Sequence, residues 1–175
     1  MMSGLPGSGK SYVSRRLAAR LDAVVVESDW VRKLLFPQPD YGPLESMITH
    51  GACRVLIRRL LWAGRGAIYD ATNLIEAQRQ VVYELARSCH AELVIIRTVA
   101  APQEIMRRLA ARKHRPESNS DADWNVYLRL AESAEPIRTR HICVDTTKPV
   151  ESWLLEVDRA FAVSRASVSV PRPTL

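Results

Sequence analysis

The sequence is poor in the residues that mark unusual protein classes. Aromatic residues make up 6% of its 175 residues, and cysteine occurs only at Cys53, Cys89 and Cys143. An odd, widely spaced set of cysteines is not a disulfide framework, so we expect reduced, mostly buried thiols in a cytoplasmic protein. No apolar run is long enough to span a bilayer, and we predict no membrane partner.

What the chain does contain is ordinary. Its 47% hydrophobic and 25% charged residues are typical of one globular domain with a full hydrophobic core. The net charge of +6 suits a polyanionic ligand, although a nucleotide alone would account for it. We predict one domain over residues 1–163 and an unstructured tail over 164–175, where Ser, Val and Pro are mixed.

Glycine is scarce too, and three of the seven glycines lie in one short stretch. The pattern G-x-x-x-x-G-K-[ST], the Walker A phosphate loop, is matched by Gly4, Leu5, Pro6, Gly7, Ser8, Gly9, Lys10 and Ser11. Glycines let the backbone approach phosphate oxygens, and the next helix points its positive end at them. In such a loop Lys10 reaches the β- and γ-phosphates and Ser11 binds Mg²⁺. The motif therefore predicts ATP and Mg²⁺ as cofactors, and an ordinary Gly/Ser turn is the alternative.

Hydrophobic periodicity divides the rest of the chain into alternating strands and helices. The predicted strands cover residues 23–26, 67–69 (closed by Asp70), 92–99 and 141–145. The predicted helices cover residues 10–21, 30–36, 44–63, 75–88, 103–112, 120–134 and 150–163. The sixth helix is expected to open with a capping box, Ser120-x-x-Asp123. Residues 107–119 combine arginines with a polar loop, which predicts a lid that closes on nucleotide.

Strands that alternate with helices imply an α/β fold with a parallel sheet covered on both faces. Ligands of such sheets bind beyond the carboxyl ends of the strands. Asp29 follows the second strand and Asp70 ends the third, so both carboxylates are predicted at that edge. Asp70 could hold Mg²⁺ or the acceptor, and a strand-end turn with Asn73 is the alternative.

One expected element is nearly missing. A phosphate loop needs a strand leading into it, and only residues 1–3 precede this one. We therefore expect that the natural chain starts upstream of Met1, or that the chain as given is less stable than its size suggests.

With these positions placed, the sequence resembles a family of small P-loop kinases that groups polynucleotide 5′-hydroxyl kinase, the zeta-type toxins and other ATP-binding proteins. The matching stretches are GLPGSGKS (4–11), SDWVRKLL (28–35), YDATN (69–73), RRLAAR (107–112) and SDADWNVYLRLAE (120–132). The resemblance implies a three-layer P-loop NTPase fold whose parallel five-stranded sheet has the order 2-3-1-4-5. It also implies transfer of the ATP γ-phosphate to a hydroxyl. The very short first strand departs from this pattern.

The resemblance also implies roles for single residues. Asp29 matches the aspartate that takes the proton from the acceptor hydroxyl, and Arg32 on the same helix face matches the arginine that holds the acceptor. A helix cap beside a surface arginine is the alternative. Arg108 and Arg112, one turn apart, match lid arginines over the transferring phosphate, and a solvated basic face is the alternative. Asp70 and Asn73 complete the predicted substrate side.

Three functions stay open at this stage. The first is an ATP-dependent kinase that acts on a hydroxyl of a small molecule or nucleotide. The second is a polynucleotide 5′-hydroxyl kinase, which the net charge slightly favours although no clear basic stripe with interleaved aromatics is present. The third is a regulatory nucleotide-binding module, against which the Asp29–Arg32 pair argues because pure binding needs no acid at the acceptor position. The sequence does not indicate the oligomeric state.

Overall fold

The computed structural model describes residues 1–112 and 119–166 of the chain. The strands are β1 (Met2–Ser3), β2 (Ala23–Glu27), β3 (Gly66–Asp70), β4 (Ile96–Val99) and β5 (Ile142–Asp145). The helices are α1 (Lys10–Leu21), α2 (Ser28–Leu35), α3 (Pro43–Trp62), α4 (Glu76–Ser88), α5 (Pro102–Arg112), α6 (Trp124–Glu132) and α7 (Val150–Ala166). The loop of the predicted lid (113–118) and most of the predicted tail (167–175) lie outside the described residues.

All strand pairs are parallel, and they form two groups. β2 pairs with β3, and β4 lies between β1 and β5. The groups meet beside the phosphate loop, where Gly4 N donates to Thr72 O at 3.0 Å and Asn73 Nδ2 donates to Met2 O at 2.8 Å. These pairings agree with the 2-3 and 1-4-5 parts of the predicted order. No ladder among the described strands joins β3 to β1, so the complete order stays a prediction.

Two hydrophobic cores cover the two faces of the strands, because successive side chains of a strand point to opposite faces. On one face the strand residues pack against α1 and α7, through Met2, Ile68, Ile96, Val144, Val13, Leu17, Trp153 and Val157. On the other face they pack against α2, α3 and α4, through Met1, Val26, Tyr69, Ile95, Val31, Cys53, Ile57, Val82 and Leu85. The predicted three-layer α/β architecture is therefore confirmed.

The short first strand is held by its neighbours despite its length. Met2 is 1% exposed, and Ile96 N donates to Met1 O at 2.9 Å. β4 begins at Ile96, which pairs with Met2, and not at residue 92 as predicted, because the paired residues of β1 begin at Met2. Whether the natural chain starts upstream stays a prediction.

The predicted start of α6 is wrong. Its N-cap is Asp123, whose carboxylate accepts a hydrogen bond from Val126 N at 2.9 Å. The helix therefore begins at Trp124, and its capping residue is Asp123 and not Ser120 as predicted. A single aspartate cap is sufficient here because it satisfies one of the first N–H groups directly.

Two other sequence expectations need correction. α7 continues through Ala166, three residues beyond the predicted end at residue 163. The three cysteines are free thiols, as expected, but only Cys53 is buried, Cys89 is half-buried and Cys143 is exposed. Within residues 1–112 and 119–166, no helix combines the length and the apolar character that a membrane crossing requires.

Candidate functional site

The loop between β1 and α1 has a backbone that requires glycine. Gly7 and Gly9 have φ angles of 77° and 93°, which L side chains rarely adopt. A Cβ at Gly7 would lie 2.9 Å from Ile105 Cγ2, and one at Gly9 would lie 2.8 Å from Thr146 Cγ2. Gly9 is also the N-cap of α1, with no side-chain cap bond, so the first N–H groups of the helix remain for an anion.

Of the eight residues of the predicted loop, some line the cleft and the others stabilise the loop. Those that line the cleft are Pro6, Gly7, Gly9, Lys10 and Ser11. The others stabilise the loop from behind: Gly4 N bonds to Thr72 O, Leu5 packs beside Ile105 and Leu109, and Ser8 Oγ lies 2.7 Å from Thr98 Oγ1.

The cleft has a volume of about 1420 Å³. A single small-molecule site usually has about 300–1,000 Å³, so this cleft has room for two ligands. Its walls come from the phosphate loop, the carboxyl ends of β2 and β3, the first turns of α2 and the last turns of α5. It brings together most of the predicted site residues, namely Lys10, Ser11, Asp29, Arg32, Asp70, Arg108 and Arg112.

Asp70 places a poorly solvated carboxylate at the floor of the cleft. The residue is 2% exposed, and its Oδ2 has no hydrogen-bond partner among the described residues. Burial raises the pKa of Asp70, against the opposing charge of Lys10 and the hydroxyl of Ser11. A buried carboxylate oxygen without a partner is costly unless a ligand uses it. Asp70 and Ser11 therefore fit a Mg²⁺ ion that arrives with a nucleotide.

The rest of the ligand set is consistent with a nucleotide-borne ion. Among the described residues, no group of three or more His, Cys, Asp or Glu side chains could hold a metal. Mg²⁺ usually keeps several waters and takes only one or two protein carboxylates together with substrate phosphates. A single buried aspartate beside a serine hydroxyl is thus sufficient for it.

Lys10 lies at the phosphate loop close to two carboxylates of the cleft. Its Nζ donates to Leu5 O at 3.1 Å. Burial lowers the pKa of Lys10, and the nearby carboxylates of Asp70 and Asp29 oppose this shift. The ammonium group is therefore close to both acids.

Asp29 lies on the cleft wall in the first turn of α2. The N-cap of α2 is Glu27, and no side chain caps the helix, so the alternative of Asp29 as a cap finds no support. Asp29 is half-buried, and its carboxylate accepts no hydrogen bond among the described residues. Burial lowers the pKa of Arg112 while the charges of Asp29 and Glu27 oppose this, so Asp29 lies near Arg112 as well as Lys10.

Arg32 is a buried cation, and the alternative of a surface arginine is wrong. It is 6% exposed and forms an ion pair with Glu45. Its Nη2 lies 3.3 Å from Ser46 Oγ, and its guanidinium lies 4.9 Å from the centre of the Tyr41 ring. Its Nε has no partner in the described part of the chain. The cation is thus fixed in the cleft wall beside Asp29.

Arg108 supports the phosphate loop and does not belong to a solvated face. It donates to Gly7 O at 3.3 Å, to Thr146 Oγ1 at 2.7 Å and to Thr146 O at 3.0 Å. Its Nε donates to Glu104 at 2.8 Å. The side chain of Arg107, in contrast, is 72% exposed and pairs with Glu104.

The structure does not bring Asn73 to the cleft. Asn73 is 4% exposed, and its φ of 44° places it in a tight turn. Its side chain donates to Met2 O, and its carbonyl accepts from Ser3 Oγ at 3.1 Å. Because these bonds occupy it, Asn73 connects β1 to the turn after β3, and the predicted substrate contact is corrected to a structural one.

Sequence reasoning missed two residues of the cleft. Glu27 pairs in register with Asp70, and burial and then the charge of Asp70 raise its pKa. Thr146, directly after β5, donates from Oγ1 to Ser8 O at 2.9 Å. Both lie at carboxyl ends of strands, so the rule that predicted Asp29 and Asp70 could have found them.

One further contact crosses the cleft. Asp121 accepts hydrogen bonds from Lys33 Nζ at 2.8 Å and from the Tyr41 hydroxyl. Asp121 precedes α6 and therefore does not lie in the first turn of the helix predicted over residues 120–134. Asn119 Nδ2 donates to Glu27 at 3.2 Å, so residues 119–121 contact both α2 and the end of β2.

The buried carboxylate of Asp70 is expected to lower the stability of the nucleotide-free protein. Its pKa is raised above the unfolded value, so its charge destabilises the fold increasingly as pH rises through the folded pKa. Asp70→Asn mimics the protonated form, and we expect it to stabilise the nucleotide-free protein by about 1 kcal/mol at neutral pH. Thermal unfolding measured from acid to neutral pH should show the gain shrinking as pH falls.

Asp145→Asn is the matched control, because Asp145 also ends a strand. Hydrogen bonds from Thr147 lower the pKa of Asp145, so its contribution to stability has the opposite sign and is lost as pH falls. An Asp70→Asn protein that is less stable than wild type at neutral pH would contradict this account.

This chain is similar in sequence to known proteins. An uncharacterized protein of Mycobacterium tuberculosis is 28% identical over 180 residues. The match covers 96% of this chain and 35% of that protein, so the chain spans about a third of the length of the curated relatives it matches.

Solved structures show the same fold. Kti12 of Chaetomium thermophilum, in complex with ADP-AlF3, superposes with a TM-score of 0.72 at 16% identity, over 92% of this chain and 96% of that one. The APS kinase CysC of Mycobacterium tuberculosis, in complex with AMPPNP and APS, superposes with a TM-score of 0.67 at 16% identity, over 92% and 95%. The fold is therefore the α/β fold of P-loop kinases.

The family is shown by a sequence model that matches most of the chain. The model describes an AAA domain, and it matches residues 1–137, which include the phosphate loop, Asp29, Asp70 and Arg112. The narrower resemblance to polynucleotide kinases and zeta-type toxins stays a prediction. This chain belongs to the AAA domain family.

Proposed function

We propose that this protein is an ATP-dependent phosphotransferase that moves the γ-phosphate of ATP to a hydroxyl of a small molecule or nucleotide. The observation that carries the proposal is the position of Asp29, half-buried on the cleft wall and close to Lys10 and Arg112. Proton removal from an acceptor hydroxyl uses a positioned base, which a site that only binds nucleotide does not require. The kinase fold supports the same activity.

The phosphate loop would hold the nucleotide. Lys10 would exchange its bond to Leu5 O for the β- and γ-phosphates, as lysines of such loops do. Ser11 and Asp70 would hold Mg²⁺, which neutralises phosphate charge when bound. Arg108 would act indirectly, because its bonds to Gly7 and Thr146 keep the loop in its phosphate-binding shape.

The chemical step needs little covalent work from the protein. The acceptor oxygen forms a bond to the γ-phosphorus while the bond from that phosphorus to the β–γ bridging oxygen breaks, and ADP leaves. The Asp29 carboxylate takes the proton of the acceptor hydroxyl. Lys10 and Arg112 stabilise the charge that spreads over the transferring group.

The acceptor would lie between Asp29 and Arg32. Arg32 cannot move freely, because Glu45, Ser46 and Tyr41 hold its guanidinium in place. Glu45 also neutralises much of its charge, so Arg32 would direct a hydrogen bond more than attract a polyanion. A polynucleotide 5′-hydroxyl acceptor and a regulatory role without transfer are the alternatives that the experiment below separates.

We place this activity in the cytoplasm. The thiols of Cys53, Cys89 and Cys143 are free, and free thiols are typical of proteins in reducing compartments.

The test is ADP formation from ATP and Mg²⁺ against a panel of acceptors. The panel contains sugars, nucleosides, nucleotides and oligonucleotides with a 5′-hydroxyl, and each is compared with a reaction that lacks an acceptor. We expect one chemical class to raise ADP formation at least about tenfold above the acceptor-free rate. This threshold is modest, because a positioned base alone typically contributes about 10²- to 10⁴-fold. ATP binding without stimulation by any acceptor would favour the regulatory module and reject the proposal.

A further inference from the structure

We propose that the outer face of α3 is the interface of a homodimer. The inner face of α3 packs on the strands through Thr49, Cys53 and Ile57, which are at most 6% exposed. On the opposite side, large apolar side chains face solvent at 43–66% exposure: Leu44, Met47, Ile48, Val55 and Trp62. We call these five residues, with Gly51 and Arg58, the outer face.

The spacing of the outer face is that of a helix-pairing seam. Its central residues alternate in steps of four and three along the 20-residue helix: Leu44, Ile48, Gly51, Val55, Arg58 and Trp62. Helices that pair side by side repeat apolar residues in this way, and four of these six positions are apolar, with Gly51 and Arg58 as the other two. A surface helix of a monomer normally carries polar residues on the side away from the core.

Gly51 is the second observation. A glycine in the middle of a helix costs about 1 kcal/mol relative to alanine, so its presence there needs a reason. A Cβ at Gly51 would meet only Arg54 Nη2, at 3.9 Å, so nothing within the described chain requires its absence. Close approach of a second helix would require it, because small residues let two backbones come together.

The outer face complements itself. Two copies of α3 can lie antiparallel with their outer faces in contact, about a two-fold axis that crosses the helices at the level of residue 53. Val55 of each copy then falls opposite Gly51 of the other. Leu44 of each then falls opposite Trp62 of the other. The same patch serves both copies, as an isologous contact requires, and the two helix dipoles oppose each other favourably.

The area is enough for a dimer of moderate strength. At ordinary side-chain areas the five apolar residues expose about 600 Å², the upper end for the largest patch of a monomer. Two copies would bury about 1,200 Å² together, which is the lower limit for specific interfaces. The described face thus supports a reversible dimer, not an obligate one.

The experiment is the mass of the full chain in solution over a wide concentration range, by sedimentation equilibrium. We expect the average mass to rise from 19.7 kDa towards twice that value as concentration increases. Val55→Arg should weaken association at least about tenfold, because the symmetric contact would bury two new charges, one from each copy, against apolar surface. Val81→Arg is the matched control, since Val81 is also exposed (39%) but lies on α4.

Each outcome decides the proposal. Dimerisation of wild type and Val81→Arg, with loss in a Val55→Arg protein that melts at the wild-type temperature, supports it. Wild-type protein that stays monomeric at every concentration overturns it. Equal dimerisation of both variants also overturns it, because the contact would then lie elsewhere. None of these results depends on ATP or on the proposed activity.

Discussion

Asp29→Asn is expected to lower phosphoryl transfer by about 10²- to 10⁴-fold, the usual cost of losing a positioned base. Asparagine keeps the shape and hydrogen bonding of the side chain but cannot take a proton. Asp29 neither caps α2 nor accepts a hydrogen bond among the described residues, so its replacement should leave the fold intact. Because Asp29 lies across from the phosphate loop, we expect nucleotide affinity to change only a few-fold.

The measurement is single-turnover transfer at saturating ATP and acceptor, with nucleotide affinity from calorimetry. Asp22→Asn is the control, since Asp22 ends α1 at a φ of 49° that asparagine tolerates, and it lies outside the cleft. Near-normal turnover by Asp29→Asn would reduce Asp29 to a surface residue of the first turn of α2.

Lys10→Ala is expected to remove at least about 10²- to 10³-fold of the transfer rate, the cost of losing one preorganised group at a developing charge. Lys10 is the ammonium of the phosphate loop, and its Nζ donates to Leu5 O. The variant should lose affinity for ATP more than for ADP, because Lys10 would contact both the β- and γ-phosphates and ADP has no γ-phosphate.

Binding of ATP and ADP is measured beside turnover. The fold should survive the substitution, because burial already disfavours the charged form of Lys10, and unfolding temperature checks this point. Equal turnover of saturating ATP by wild type and Lys10→Ala would remove Lys10 from the mechanism.

Local sequence patterns predicted the parts of the molecule that local physics determines. The residues of α1 and the glycines of the loop follow from periodicity and from allowed backbone angles. Asp29 and Asp70 were located because parallel strands end at a common edge, which is a property of topology and not of distant contacts. The same rule applies to Glu27 and Thr146, which also lie at carboxyl ends of strands.

What the sequence could not provide depends on contacts between distant residues. Arg32 resembled a ligand arginine or a surface arginine, but its burial against Glu45 follows from how α2 and α3 pack. Asn73 is predicted as a site residue, but its side chain binds Met2, which lies 71 residues away in the chain. Arg108 was expected to face phosphate, yet its partners Gly7 and Thr146 lie 101 and 38 residues away in the chain.

The most direct test of the account is the fate of the γ-phosphate. ATP labelled in that group is incubated with the protein, Mg²⁺ and the acceptor panel, and phosphorus NMR identifies the product that carries the label. The account predicts that wild-type protein places the label on an acceptor hydroxyl as a phosphate ester and that Asp29→Asn does not. Label that stays in ATP, or appears only in inorganic phosphate with every acceptor, would contradict it.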